Sequence, residues 1–397
     1  MSFVAEFERV PLAALVERAR HADTAAVRRS LGQSSLSLVD FAQLISSAAA
    51  EQLEMLCRRS AALTRQRFGR VIRFFAPLYL SNECINNCRY CGFSRDNAIR
   101  RVTLSVEEVI REAQALRQQG FRNLLLVAGE HPKFVSNDYL ATCIRALHPD
   151  WPSLSLEVAP METAEYRPLV AAGAEGLVVY QETYDPEVYA AMHTAGPKRN
   201  FAWRLESPER AYAAGFRRLG ISPLYGLADW QAEAISVAAH AQYLLRHCWK
   251  AQLTVSTVRL RPCAGEFPPP RPMSDRELVQ LVCALRIFLP DVGLVLSTRE
   301  TPKLRDGLIP LGITLISAGS HTEPGGYTGA GAANTHLTRS GRIIEASRHG
   351  ATTPAEGTDA TGQFVIADDR SPADVSEVVR RLGFEPVWKD WDTALAG

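Results

Sequence analysis

The chain has 397 residues, which is long enough for a large core and for an α/β barrel, a fold that uses ~250 residues as one domain. Its 44 basic residues balance 43 acidic ones, which argues against a dedicated nucleic-acid or membrane-surface binder. The first residues mix charged and apolar side chains, unlike a secretory signal, and no apolar run approaches the ~18 residues of a membrane span. These features predict a cytoplasmic protein that binds neither nucleic acid nor a membrane.

Two patterns divide the chain. Residues 1–70 show helical periodicity, so we expect an N-terminal helical layer there. After that, eight short apolar runs alternate with amphipathic, helix-like stretches. The runs are 71–81, 123–130, 154–161, 176–184, 217–226, 252–262, 292–300 and 312–320. Alternating strands and helices imply parallel pairing through right-handed crossovers, and eight units predict a (β/α)8 TIM-type barrel over residues 71–320.

The tail, residues 321–397, predicts an extension that covers the barrel. Residues 321 to about 362 are rich in Gly, Thr and Ala and indicate a long loop, which could close over the barrel mouth. The residues after it predict a strand, then a helix capped at Ser371 with Pro372 in its first position. The aromatic end "WKDWD" predicts a clasp that covers the barrel or contacts a partner.

Three cysteines cluster directly after the first predicted strand, with the spacing Cys84-x3-Cys88-x2-Cys91. Barrel active sites lie at the carboxyl ends of the strands, so these thiols are expected at the mouth. Three thiolates on an iron–sulfur cube leave one iron open, whereas a structural zinc needs four ligands. The alternative is a zinc site completed by Cys57 or a histidine. The other cysteines are scattered, as reduced thiols are.

This spacing, with the aromatic Tyr90 just before the third cysteine, resembles the signature of the radical S-adenosylmethionine (SAM) superfamily. The resemblance implies a [4Fe-4S] cluster on Cys84, Cys88 and Cys91, with SAM chelating the open iron. It also implies a reductant of the flavodoxin or ferredoxin type and reductive cleavage of SAM to a 5′-deoxyadenosyl radical. The protein then supplies orientation and exclusion of solvent.

The resemblance also assigns cofactor-binding roles at other strand ends. Gly129 and Glu130 resemble the motif that meets the methionyl amino group, although Ala128 stands where a glycine is common. Arg204 resembles the arginine that pairs with the methionyl carboxylate, a task that suits its planar fork.

Four further residues complete the expected cofactor site. Gln181 and Glu182 are expected to reach the ribose hydroxyls, with a solvated loop carboxylate as the alternative for Glu182. Tyr90 offers an aromatic face to a nucleobase edge. Ile221 is expected to form an apolar wall against the adenine, and the alternative is an ordinary core residue.

Three strand ends indicate a site for an α-amino acid. Arg299 ends the seventh strand and is expected to clamp a carboxylate, while Ser317 and Tyr79 would shape the backbone end of the substrate. With "CGFS", "YQETY" and "PVWKDWD", this set resembles the aromatic amino acid lyases, and most closely the tyrosine lyase of thiamine biosynthesis. The resemblance implies cleavage of Cα–Cβ of L-tyrosine to 2-iminoacetate and p-cresol, with possible delivery of the imine to thiazole synthase.

A base near the tyrosine phenol would help the fragmentation, and His131, His321 and Glu300 are candidates by position. Of Arg259 and Arg261, which alternate on the sixth strand, one is expected to touch the site.

Other activities remain open at this point. The related tryptophan lyase and a tyrosine-using deazaflavin synthase fit the same residues. Biotin synthase would need cysteines at barrel positions where this chain has none, and the hydrogenase-maturing tyrosine lyase carries a C-terminal cysteine motif, whereas no cysteine follows Cys283 here. A non-catalytic scaffold that holds zinc or a cluster is the remaining alternative.

Overall fold

The structure is a computed structural model that describes residues 2–345 and 359–388. The predicted N-terminal helical layer is confirmed: these helices are Phe3–Phe7, Leu12–His21, Thr24–Gly32, Leu38–Leu44, Ser47–Glu51 and Leu53–Phe68. They pack on the outer helices of the barrel, and the last of them contacts the helix Asp275–Phe288. No helix in the described ranges is long and apolar enough to cross a membrane.

Eight parallel strands close into the predicted (β/α)8 barrel. In chain order they are Val71–Ser81, Asn123–Ala128, Ser153–Glu157, Gly176–Glu182, Arg218–Tyr225, Gln252–Ser256, Gly293–Leu296 and Leu315–Ser317. Each strand pairs with the next one along the chain, and the eighth pairs with the first to complete the circle. All eight overlap the apolar runs, because strands covered by helices need apolar side chains on both faces.

Helices surround the barrel and follow its strands. They are Val106–Gln118, Asn137–Leu147, Thr163–Ala171, Pro186–Met192, Phe201–Leu205, Ser207–Ala214, Trp230–His247, Asp275–Phe288 and Pro302–Leu308. Ser105 and Ser274 each form a capping box, with Glu108 and Glu277 as the reciprocal partners. These caps fix where the two helices begin.

The tail is more ordered than its composition predicts, so the interpretation of residues 321–362 as one loop is wrong in part. Strands His336–Arg339 and Arg342–Glu345 form a hairpin that pairs with Ile99–Arg101, just after the cluster loop. Ser340 and Gly341 join them with φ angles of 49° and 71°. A type I′ turn requires positive φ at both central residues. The Ser340–Gly341 pair was not recognised as a hairpin turn from the sequence because many other glycines surround it.

The strand predicted after residue 362 is also wrong. The backbone there forms no ladder of hydrogen bonds with a single strand. The N–H groups of Gln363, Val365 and Ala367 instead donate to carbonyl groups of three different segments. The predicted helix follows as Pro372–Arg381, capped by Ser371.

A short strand, Glu385–Val387, ends the described tail and pairs with the start of the first barrel strand. Trp388 packs on Phe74 and Phe121 with ring centroids 4.6 and 5.2 Å apart, so this part of the aromatic end covers the amino end of the barrel. The remainder of "WKDWD" lies outside the described residues. The three-part division at residues 70 and 320 stays a prediction.

Candidate active site

Cys84, Cys88 and Cys91 line one cavity at the carboxyl end of the barrel, with about 560 Å³ of empty space. Within the described ranges, no three His, Cys, Asp or Glu side chains converge closely enough to hold a single metal ion. Thiols spread around a cavity fit a cluster, which is larger than one ion. Cys57 lies elsewhere, with its Sγ 3.7 Å from that of Cys283, and is not a fourth ligand.

Burial changes the acid–base chemistry of these thiols. It raises the pKa of Cys88 strongly and that of Cys91 to about 11. Without a cation the thiols of Cys88 and Cys91 would therefore stay protonated at neutral pH. A bound cluster supplies the positive iron ions that displace such protons, so the donor set fits this cofactor.

The buried guanidinium of Arg101 organises the cluster loop. It donates to the carbonyls of Asn82, Phe93 and Ser94, at 2.5, 3.0 and 2.8 Å, and to Thr338 Oγ1 of the tail hairpin at 2.7 Å. An arginine is suited to this role because its planar fork offers five donors. The two ends of the loop and the tail are thus tied to one side chain, which sequence reasoning missed.

Gly129 lets the second strand end directly against the cluster loop. Its N–H donates to Ser81 O at 2.9 Å, and a Cβ on it would lie 2.2 Å from Glu83 O. The next residue, Glu130, accepts a hydrogen bond from Asn86 Nδ2 at 2.6 Å. Both predicted residues line the cavity beside the cysteines. The glycine is required here by close approach of two backbones.

Glu182 lies at the centre of a buried ion network in the same cavity. Its Oε1 lies 2.7 Å from Lys198 Nζ and 3.6 Å from an Arg204 nitrogen, and Arg204 Nε donates to Tyr180 O at 2.6 Å. A register shift between Tyr180 and Glu182, with φ of 71° at Glu182, turns this carboxylate into the cavity. Lys198 and Arg204 thus place two positive charges beside this carboxylate, where an anionic group of a ligand could bind.

The attraction of the two cations decides the charge state of Glu182. Burial works to raise the pKa of Glu182, but Lys198 and then Arg204 outweigh it and hold the pKa below its ordinary value. The network is therefore ionised at neutral pH. Lys198 was missed from the sequence, because it lies in the short 3-10 helix Pro197–Arg199 and no strand end marks it.

Glu157, at the end of the third strand, is a half-buried carboxyl group in the same cavity. Burial raises its pKa to about 7, and the nearby charge of Glu182 adds to the shift. Such a group can hold or release a proton at neutral pH. The signal available in the sequence was a carboxylate ending an apolar strand, in "LSLEV".

The residues predicted for the amino acid do not line this cavity, but one of them, Tyr79, contacts two side chains that do. Tyr79 Oη donates to Gln363 Oε1 at 2.8 Å, and its ring meets Phe93 edge-on. The Arg299 guanidinium lies 3.4 Å from the ring centroid of Phe364. Gln363, Phe93 and Glu157 all line the cavity. Ser317 lies two residues after Leu315 on the eighth strand, so its side chain is on the same, barrel-facing side as that of Leu315.

Three predicted cofactor residues do not line the cavity. Gln181 Nε2 faces Phe201 O at 3.4 Å, and its buried Oε1 has no hydrogen-bond partner among the described residues. The Tyr90 hydroxyl lies 2.6 Å from His193 Nε2. Ile221 is in the core, in register with residues 179 and 255. Their roles toward the cofactor stay predictions.

The candidates for a phenol base have other partners. Glu300 forms an ion pair with Arg259, whose Nε lies 3.0 Å from Glu300 Oε1. Arg259 therefore binds this carboxylate. His321 lies 2.8 Å from Glu323, and His131 packs on an aromatic ring. None of the three lines the cavity that holds the cysteines.

Comparison with known proteins agrees with this geometry. Residues 78–236 match the radical SAM superfamily and residues 256–385 the biotin and thiamin synthesis associated domain. The 2-iminoacetate synthase of Escherichia coli K12 is 42% identical over 370 residues, covering 93% of this chain and 91% of that protein. The Salmonella typhimurium LT2 protein of that name is 41% identical over the same shares.

Solved structures of the [FeFe]-hydrogenase maturase HydG are also similar. One has a TM-score of 0.83 at 29% identity and covers 95% of this chain and 79% of its own. The other, from Carboxydothermus hydrogenoformans, has a TM-score of 0.79 at 34% identity, with 98% and 82% covered. The barrel, the three-cysteine cavity and these matches define a radical SAM enzyme. Within that class, the chain belongs to the 2-iminoacetate synthase family.

Proposed function

We propose that the protein cleaves the Cα–Cβ bond of L-tyrosine to 2-iminoacetate and p-cresol, for the thiazole moiety of thiamine. The observation that carries this proposal is 42% identity to a 2-iminoacetate synthase over 93% of the chain. A reductant of the flavodoxin or ferredoxin type would supply two electrons, one for the cluster and one that, together with a proton, converts the 4-hydroxybenzyl radical to p-cresol. Because the imine hydrolyses readily, we also propose that it passes to thiazole synthase.

The cavity has separate sets of residues for the iron–sulfur cluster and for SAM. Cys84, Cys88 and Cys91 would hold a [4Fe-4S] cluster, and Glu130 and Arg204 would meet the methionyl amino group and carboxylate of SAM. When bound, these groups supply a 5′-deoxyadenosyl radical that removes a hydrogen atom from the substrate amino group.

Arg299 would hold the carboxylate of tyrosine. Its guanidinium carbon lies 3.4 Å from the centre of the Phe364 ring, and this contact restricts the planar fork before a ligand arrives. Tyr79 and Ser317 would then border the backbone end of the substrate. Fixing the amino group near one reacting atom favours N–H over C–H abstraction, because a small displacement changes which bond is in reach.

Glu157 would accept the phenol proton, replacing the three candidates named from the sequence. It lies in the cavity and its pKa is about 7, which matches the requirement for a base near neutral pH. A developing phenolate donates electron density and assists cleavage of Cα–Cβ. The two neighbouring cations, Lys198 and Arg204, limit the cost of negative charge in this part of the barrel.

The tail would exclude water from the site. Its hairpin pairs with Ile99–Arg101, and Asn82 Nδ2 donates to Thr361 O at 3.0 Å. A closed site protects radicals and the imine from solvent. Shortening the tail within residues 321–362 should raise the amount of 5′-deoxyadenosine formed without p-cresol. An unchanged ratio of the two products would count against this role.

The test is an anaerobic assay of protein reconstituted with iron and sulfide, reduced, and supplied with SAM. Tyrosine, tryptophan, and tyrosine with a pyrimidine acceptor are the three arms, and products are identified by chromatography and mass spectrometry. We expect p-cresol and glyoxylate, the hydrolysis product of the imine, from tyrosine without any acceptor. 5′-Deoxyadenosine without p-cresol in every arm would reject the tyrosine lyase proposal.

A further inference from the structure

The tail segment 361–364 lies directly on the cluster loop. The Gln363 N–H donates to Thr322 O, and Gln363 O accepts from the Gly92 N–H, both at 2.9 Å. Gly92 follows the cluster ligand Cys91, and a Cβ at Gly92 would lie 2.7 Å from Gln363 O. The glycine therefore lets the tail backbone come close to a cluster ligand.

The Gln363 side chain joins two parts of the site. Its Nε2 lies 3.8 Å from Cys91 Sγ, and its Oε1 accepts from Tyr79 Oη at 2.8 Å. A cluster-bound thiolate only accepts hydrogen bonds, so the amide NH2 must face the sulfur. The amide oxygen is then available to the Tyr79 hydroxyl.

We propose that Gln363 is a positioning residue that tunes the cluster through Cys91 and couples it to the amino-acid subsite through Tyr79. Hydrogen bonds to the sulfurs help set the reduction potential of a cluster. A donor on Cys91 favours the reduced cluster, which carries more negative charge. The link to tyrosine rests on the proposed function, whereas the effect on the cluster does not depend on the substrate.

The first measurement is the reduction potential of the reconstituted full chain, followed by electron paramagnetic resonance without SAM or tyrosine. We expect Gln363→Leu to shift the potential to a more negative value, because the donor to Cys91 is lost. Tyr79→Phe should keep the wild-type potential, since Gln363 still faces Cys91. If Gln363→Leu does not assemble a cluster, the unbranched Gln363→Met replaces it in the same titration.

The second measurement is the ratio of 5′-deoxyadenosine to p-cresol with SAM and tyrosine present. Both Gln363→Leu and Tyr79→Phe break the bridge to the subsite, so both should raise this ratio. Loss of one such hydrogen bond predicts a change of about three- to ten-fold. If the wild-type protein forms no p-cresol, the tyrosine lyase proposal fails, while the potential still tests the role of Gln363.

Thr322→Val is the matched control, because Thr322 Oγ1 donates to Phe364 O at 2.8 Å and fixes the same segment without contacting Cys91. It should leave the potential unchanged. A potential in Gln363→Leu equal to that of the wild type would overturn the proposal. An equal shift in Thr322→Val would also overturn it, because general loosening of the tail would then explain the effect.

Discussion

The two ends of the barrel are built from the same eight strands but differ in chemistry. At the carboxyl end the cavity contains three thiols, Glu157 and the Glu182 ion network. At the amino end a second cavity, with about 680 Å³ of empty space, is lined mainly by apolar and hydroxyl side chains such as Phe75, Val178 and Ser256. The groups suited to catalysis therefore lie at the carboxyl end of the barrel, and the side chains at the amino end are mainly structural.

Chain connections explain this difference. The helices return to the next strand at the amino end through short links, such as residues 119–122 and 172–175. At the carboxyl end the first strand is followed by the long connection 82–105, which carries the cysteines. The fourth strand is followed by residues 183–217, which contain three α-helices and carry Lys198. Long loops on a rigid scaffold can place reactive groups without disturbing the core.

The largest expected effect comes from removing a cluster ligand at the carboxyl end. Cys84→Ala should abolish p-cresol formation and most of the bound iron and sulfide, because two thiolates hold a cluster poorly. Iron and sulfide analysis with visible absorption measures this. Cys143→Ala, a buried thiol on an outer helix, is the control and should retain the cluster. Cluster loss in the control as well would contradict the assignment.

Arg204→Leu should have the next largest effect. It removes one of two partners of a buried carboxylate, which predicts a loss of roughly 3 kcal/mol in the free energy of unfolding and weaker SAM binding. Because the pKa of Glu182 is held below its ordinary value of 4.5, its stabilisation is present above that pH and lost as pH falls further. The variant should therefore lose stability at a higher pH than the wild type in acid titrations.

A matched control for Arg204 is Arg210→Leu. Arg210 stacks on Trp203 at 3.6 Å in the same region but makes no described contact with Glu182. It should leave the SAM affinity unchanged. Equal losses of affinity in both variants would point to general damage of this region.

Glu157→Gln should lower turnover by about 100-fold, the contribution expected of a positioned base. Wild-type turnover should rise with pH through about 7, and the variant should lack this rise. The free energy of unfolding should change in the opposite direction to turnover. The contribution of Glu157 to stability is fully present below its ordinary pKa of 4.5 and is lost as pH rises through about 7, because its pKa is raised in the folded protein. Turnover and unfolding measured across this range test both signs.

Glu233 provides the comparison for Glu157, because burial also raises its pKa to about 7. It lies in a helix and accepts hydrogen bonds from the Tyr184 N–H and the Thr183 hydroxyl, outside the cavity. Glu233→Gln should change the pH dependence of stability but keep the rise in turnover. A rise that disappears in Glu233→Gln would reject Glu157 as the group that titrates.

The smallest effect on turnover is expected at the amino end. Trp388→Ala removes a partly buried ring from Phe74 and Phe121 and should lower the free energy of unfolding by about 2 kcal/mol. Cluster content and the ratio of products should stay as in the wild type. Trp249→Ala, at a residue that is 70% exposed, is the control for unfolding measurements. A change of product ratio in Trp388→Ala would contradict the separation of the two ends.

The sequence by itself determined the barrel and the place of the cluster. Strand periods, caps such as Ser105 and the spacing of Cys84, Cys88 and Cys91 are local features, and local features are visible in a single chain. It also located Glu182, because the carboxyl ends of parallel strands meet at one edge, whereas Glu130 and Arg204 were located through the resemblance to the radical SAM superfamily.

Only the tertiary structure decided which distant groups meet there. Gln363 and Arg101 contact side chains 284 and 237 residues away in the chain, and Lys198 meets Glu182, 16 residues away. No local pattern marks such pairs. The side on which Gln181 and Ile221 lie was likewise decided by strand register and by the shift before Glu182. Burial, finally, set the pKa of Glu157, since desolvation depends on everything packed around the group and not on its neighbours in sequence.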